Sequence, residues 1–125
     1  MAADLDQAVE IVPCPIVRES DGLALSSRNV FLSAEDRAAA IVLSRSLDRA
    51  VDAVIAGECD GRSVASRLVD WVGEEPRAQL EYAAVVDAAT LEPVDELRSG
   101  MAIRLVMTAR FGTTRLLDNM GVVVP

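Results

Sequence analysis

Ile103-Arg104-Leu105-Val106-Met107-Thr108-Ala109-Arg110-Phe111-Gly112-Thr113-Thr114-Arg115-Leu116-Leu117 is the stretch that decides the fold. Ile103, Leu105, Met107 and Ala109 alternate with Arg104, Val106, Thr108 and Arg110, the two-residue period of a strand with one buried face. The link Phe111-Gly112-Thr113-Thr114 is short enough for a hairpin. From Arg115-Leu116-Leu117 to Val122-Val123-Val124 the chain then supplies a partner strand, with a bulge or bend expected at Gly121. Upstream, Tyr82, Ala84 and Val86 alternate with Ala83 and Val85 and predict a further strand. Leu91-Glu92-Pro93-Val94 and Ser99-Gly100 punctuate the intervening connection, which reads as a crossover.

The segment before these strands has a different period. Ser33-Ala34-Glu35-Asp36 is a capping-box-like start, with a hydroxyl placed to accept a backbone N–H and acids at the positive end of a helix. The pattern predicts one helix over about 34–56, its apolar positions Ala40, Leu43, Leu47, Ala50, Val51 and Val54 recurring at three and four residues. Gly57 is a natural stop, and Asp60 can cap a second helix carrying Val64, Leu68 and Val72 in one row, with Trp71 alongside, ended by Gly73 and Pro76. Helices followed by consecutive strands predict an α+β fold, two main helices packed on a three-stranded, largely antiparallel sheet.

At 125 residues the chain suits one domain, and its 51% apolar and 26% charged composition lies far from that of disordered chains. No apolar run approaches the roughly 20 residues of a membrane span, and the acidic opening Met1-Ala2-Ala3-Asp4-Leu5-Asp6 is unlike a secretory leader. A cytoplasmic protein with no membrane partner is the expectation. All 12 basic residues are arginine and there is no histidine. Imidazole bases, Ser-His-Asp and Cys-His systems, His-ligated metals, Schiff bases and a P-loop lysine are thereby excluded within this chain. The net charge of −8 repels a phosphate backbone, so nucleic acid is a poor partner. Cys14 and Cys59 stand far apart in no C-x-x-C pair, and are read as buried or incidental thiols. Glu74, Glu75 and Asp21 are read as solvated helix-end and turn acids, Trp71 and Tyr82 as core or core-edge packing.

Val9-Glu10-Ile11-Val12-Pro13-Cys14-Pro15-Ile16-Val17 is apolar and β-branched with two prolines, and reads as a strand end followed by a rigid connector. The least regular segment follows: Asp21-Gly22 is a turn dipeptide and Ser26-Ser27-Arg28-Asn29 a loop former. Two hydroxyls and a guanidinium on a flexible loop make a competent oxyanion clamp, because the fork of Arg28 can take phosphate oxygens in pairs.

The string Pro15-Ile16-Val17-Arg18-Glu19-Ser20-Asp21-Gly22-Leu23-Ala24-Leu25-Ser26-Ser27-Arg28-Asn29-Val30-Phe31-Leu32-Ser33 closely resembles the start of the C-terminal domain in the pantothenate synthetase (pantoate-β-alanine ligase) family. Gly112-Thr113-Thr114-Arg115-Leu116-Leu117-Asp118-Asn119 resembles that family's second string. The resemblance spans the whole chain, the intervening helices agreeing in pattern. It implies the C-terminal lid domain of a nucleotidyltransferase-type ligase, in which pantoate attacks the α-phosphate of ATP to give pantoyl adenylate, and the amine of β-alanine then displaces AMP. On this resemblance Leu25, Ser26, Ser27 and Arg28 correspond to the KMSKS loop of class I aminoacyl-tRNA synthetases, closing over the ATP phosphates, while Val17 contacts the nucleotide through its backbone. Neither KMSKS lysine is present, so Arg28 is that loop's sole cation and Leu25 an apolar anchor. Arg115, Asp118 and Asn119 are expected to order the closing loop or the domain seam.

The same resemblance makes residues 1–15 the end of an N-terminal Rossmann-like domain and its linker, with Val9–Val12 as the last strand of that domain's sheet, and residues 16–125 the ATP-lid domain. The histidines, the pantoate and β-alanine contacts and most of the ATP and Mg2+ site are expected in an upstream half. No catalytic residue or metal ligand is assigned here, and the chain alone is expected to be inactive. The full-length protein is expected to be a homodimer. The alternative is a stand-alone acidic α+β interaction module without nucleotide chemistry, in which Ser-Ser-Arg-Asn is only a turn.

Overall fold

A computed structural model describes residues 4–12 and 14–125. Three antiparallel strands, β1 (Ala78–Asp87), β2 (Ala102–Phe111) and β3 (Thr114–Val123), lie in the order β1-β2-β3. One face is covered by α2 (Val42–Ile55) and α3 (Gly61–Gly73), preceded by the short α1 (Ala34–Ala39) and a 3-10 turn over Ser27–Phe31. The predicted α+β architecture of two main helices on a three-stranded sheet is the one observed.

Alternation along β2 does what its period requires. Ile103, Leu105, Met107, Ala109 and Phe111 are buried against the helices, and the intervening Arg104 and Arg110 stand on the other face. From the helices, Leu43, Leu47, Ala50 and Val54 of α2 meet Val64, Leu68 and Val72 of α3 in the same core. Fully burying each larger aliphatic side chain contributes about 1.5–3 kcal/mol. The hairpin closes through Gly112-Thr113 alone, since Phe111 pairs with Thr114. Gly112 has φ +55, the left-handed first position that glycine-first hairpin turns use.

Several sequence expectations are corrected. The helix predicted over 34–56 is two: Leu43 N–H bonds the Ala40 carbonyl three residues back, and the Ser44 hydroxyl donates to the Ile41 carbonyl. The ladder tightens there without help from proline or glycine. The irregularity expected at Gly121 lies instead in β1, between Leu80 and Tyr82, while Gly121 stays in register opposite Arg104. The connection read as a crossover joins antiparallel neighbours. It folds back along the free edge of β1, where Asp87 N–H bonds Glu92 O and Val94 N–H bonds Val85 O. It then crosses to α3 through Gly61 N–H to Asp95 O and Leu97 N–H to Cys59 O. The strand end expected at Val9–Val17 forms no strand within the described residues. Val9, Ile11, Val12 and Val17 are exposed there, and a strand exists only where a ladder partner takes its backbone groups. Pro13, part of that reading, lies outside the described residues, as do Met1, Ala2 and Ala3. Cys14 and Cys59 are both free and exposed, so neither is a buried thiol.

Candidate functional site

The segment read as least regular is ordered in two steps. Residues 17–25 form a tight backbone-paired loop: Leu25 N–H donates to Val17 O at 2.8 Å and Glu19 N–H to Leu23 O at 2.8 Å, about the Arg18–Ala24 bridge. Gly22, at φ +97, closes the turn, and Asp21 accepts the Leu23 N–H. Leu23 plugs the core at 2% exposure, fastening the loop from beneath. Partial desolvation works to raise the Asp21 pKa, but the Leu23 N–H and Arg37 outweigh it and hold it below its ordinary value.

Ser26, still extended in backbone, serves as the cap of the next turn. Its hydroxyl accepts the Arg28 N–H at 3.2 Å and starts the 3-10 turn over Ser27–Phe31. The flexible loop expected from Ser-Ser-Arg-Asn is therefore an ordered turn, and one of its two hydroxyls already has a structural use. Asn29 ties the turn down: its Nδ2 donates to Glu19 Oε1 and to the Ala24 carbonyl, while its Oδ1 is buried with no partner among the described residues. The other oxygen of Glu19 accepts from Arg37 of α1 at 2.9 Å.

A strut from the opposite end of the sequence holds the loop against β3. Arg18 donates from both terminal nitrogens to the Asp118 carboxylate, at 2.7 and 3.0 Å, and also to the carbonyls of Gly22 and Asn119. Its bond to Asp118, opposed by desolvation, raises the Arg18 pKa above the ordinary guanidinium value. Arg18 drew no attention in the sequence, where it is one of twelve arginines. Its place in one string and that of Asp118 in the other was the available signal.

Of the five candidate residues, Leu25, Ser26 and Arg28 line one cleft, whereas Val17 and Ser27 are not among its lining residues. The loop, the 3-10 turn and β3 enclose this cleft of about 260 Å³, lined among others by Ile16, Leu25, Ser26, Arg28, Leu117 and Asn119. Val17 and Leu25 are exposed at 67% and 64%, apolar surface beside the cleft. The guanidinium of Arg28 is exposed and makes no hydrogen bond or ion pair with any described residue. Glu58 and Glu81, by contrast, are paired with arginines. Among the described residues no three His, Cys, Asp or Glu side chains gather to hold a metal ion, and no helix is long and apolar enough to cross a membrane.

The model of the pantoate-beta-alanine ligase family matches residues 1–121. The chain belongs to that family. It is 46% identical over 124 residues to the pantothenate synthetase of Acetivibrio thermocellus, covering 99% of this chain and 43% of that protein. It is 50% identical to the pantothenate synthetase of Rubrobacter xylanophilus, covering 95% and 40%. Among solved structures, the pantothenate synthetase of Thermus thermophilus superposes with a TM-score of 0.84 at 37% identity, over 95% of this chain and 42% of that one. The pantoate-beta-alanine ligase of Francisella tularensis, in complex with beta-gamma ATP and beta-alanine, shares the fold at a TM-score of 0.51 and 22% identity, over 95% and 36%. The chain thus spans less than half the length of these ligase-family relatives.

Proposed function

We propose that residues 16–125 are the ATP lid of a ligase that condenses pantoate with β-alanine through a pantoyl adenylate, and that residues 1–15 are the end of an N-terminal Rossmann-like domain and its linker. Family membership supports the reaction class. The single observation that carries the lid role is that Leu25, Ser26 and Arg28 line one cleft, with Val17 held to Leu25 by a backbone hydrogen bond and Arg28 exposed and unpaired among the described residues.

In this reading the Val17 backbone and the Leu25 side chain meet the nucleotide, and Ser26, Ser27 and Arg28 grip its phosphates. Charge grows on pyrophosphate as pantoate oxygen bonds to the α-phosphorus, so donors fixed in advance lower the barrier. The 3-10 turn provides that fixity, because the backbone of Ser26–Asn29 is set before any ligand arrives. The Mg2+ that accompanies ATP would be held by the nucleotide and the N-terminal half, since these residues present a cation and hydroxyls where a metal needs carboxylates. Pantoate and β-alanine contacts, and the surface of a homodimer, are assigned to that half as well. A cytoplasmic location follows from the same biosynthetic role.

The test is reconstitution. Purified alone, the chain forms no pantothenate and binds ATP weakly. Supplied with an N-terminal half of the same family, it restores ATP-dependent ligation. Ligation by this polypeptide alone would overturn the lid assignment. Indifference to nucleotide in both settings would favour the acidic interaction module instead.

A further inference from the structure

Arg28 and Arg115 come from opposite ends of the chain and line the same two cavities beside the sheet. One, of about 260 Å³, is bounded by Thr108, Tyr82 and Leu117. The other, of about 390 Å³, extends past Thr113 and Thr114. No carboxylate lines either of them, in a chain whose net charge is −8. The register places Tyr82, Thr108 and Leu117 in one row across the three strands, on the face that the helices leave open.

The two guanidiniums are held differently. Arg115 gives its Nε to Glu81, which also accepts from Arg110 at 2.9 Å, and its two terminal nitrogens make no hydrogen bond among the described residues. Glu81 sits at the β1 irregularity, so the local break in register is what lets one carboxylate reach both arginines. Arg28 makes no polar side-chain contact within the described residues. The hydroxyl of Thr108, a residue 2% exposed, makes none either. Glu81 is shared between Arg110 and Arg115 and Arg28 has no counter-charge among the described residues, so the positive charge facing these cavities is only partly neutralised, and a ligand bearing several negative charges relieves the remaining repulsion. A single phosphate could be satisfied by the fork of Arg28 alone, whereas a second arginine calls for a second anionic group.

We infer that Arg28 and Arg115 form a two-arginine clamp for a diphosphate group, with the Thr108 hydroxyl as an additional donor. The group is either the terminal diphosphate of a nucleoside triphosphate or free inorganic pyrophosphate. Its assignment to ATP turnover rests on the ligase reading above, while the clamp rests on the cavity alone. The clamp moves the phosphate grip from the cleft beside Asp118, where Arg18 and Asp118 neutralise one another, to the helix-free side of the sheet.

Inorganic pyrophosphate titrated into the chain at low ionic strength, followed by amide NMR, tests this directly, with orthophosphate and AMP as comparators. Pyrophosphate is expected to shift the amides of residues 26–29 and 113–117. Arg28→Gln and Arg115→Gln are each expected to weaken it about tenfold, and Arg62→Gln, on the distant exposed end of α3, to leave it unchanged. ATP, which carries the same diphosphate, competes, and AMP does not. Arg115→Lys, which keeps the charge and loses the fork, is expected to fall between wild type and Arg115→Gln, and the amide spectrum reports whether each variant is folded. Pyrophosphate binding no tighter than orthophosphate, or a wild-type affinity in a folded Arg115→Gln chain, overturns the clamp. A clamp that survives these titrations while reconstitution yields no pantothenate defeats the ligase reading alone. Ligation that needs Arg28 but ignores Arg115, in rate and in inhibition by pyrophosphate, defeats the clamp alone.

Discussion

The Arg18 guanidinium holds the Asp118 carboxylate by two hydrogen bonds across 100 residues of sequence, and Asp118 is 3% exposed. An exposed ion pair contributes at most about 1 kcal/mol, but a buried carboxylate that loses its cation keeps its full desolvation penalty. Arg18→Ala is therefore expected to destabilise by about 2–3 kcal/mol, and Asp118→Asn by less, since the amide still offers an acceptor. Urea unfolding checks this, with a lowered midpoint at unchanged slope; equal losses would count against a buried charge as the cause.

Arg28→Ala in a full-length ligase is expected to slow adenylate formation by about 3 kcal/mol, roughly a hundredfold, with the melting temperature unmoved. Stability is spared because the exposed Arg28 side chain contacts no polar partner among the described residues. Single-turnover pyrophosphate release measures the step. An unchanged rate would remove Arg28 from the phosphate grip.

Gly61→Ala is expected to disrupt the seam between α3 and the connection before β2. An added Cβ would stand 2.1 Å from the Val94 carbonyl oxygen, which is backbone and cannot swing aside. Displacing that segment loosens the Gly61 N–H to Asp95 O bond and the buried Leu97 beside it. A loss of about 2–3 kcal/mol follows, read as a lowered thermal midpoint. Gly57→Ala lacks such a clash and is limited to the strain of its φ of +102.

Stability is expected to be flat between about pH 6 and 8, because the chain has no histidine to titrate there. On the acid side it falls. Backbone and Ser63 hydrogen bonds with Arg67 lower the Glu58 pKa, and the Thr90 and Ala89 N–H groups lower that of Asp87. Burial works to raise Glu81, but Arg110 and Arg115 outweigh it. Folded-state values below the unfolded ones mean stabilisation that is complete above about pH 5 and lost as pH falls through the depressed values. Circular dichroism melts across pH 3–8 check the shape; a maximum on the acid side would contradict these directions.

The core was legible before any coordinates, because burial imposes a period and the period is written in residue order. Ile103, Leu105, Met107 and Ala109, and Leu43, Leu47, Ala50 and Val54, follow from spacing alone, as do the Ser33 and Asp60 caps. The break between α1 and α2 was not, since Ala40 and Ile41 carry no helix-breaking side chain and the change is one of hydrogen-bond partner. The exposed stretch over 9–12 has the composition of a strand, and within the described residues its backbone finds no ladder partner.

Composition and periodicity by themselves determined the α+β class and the absence of imidazole and lysine chemistry within this chain, and the resemblance of residues 15–33 to the ligase family supplied Val17, Leu25, Ser26, Ser27 and Arg28 as candidates. Only tertiary structure decided that Ser26 serves as a cap, that Arg18 answers Asp118, and that Arg28 shares its cavities with Arg115. The last two relations join the first quarter of the chain to its last strand. Local propensity acts over a few residues, whereas the pairing of distant charges is chosen by which surfaces the packed core brings together.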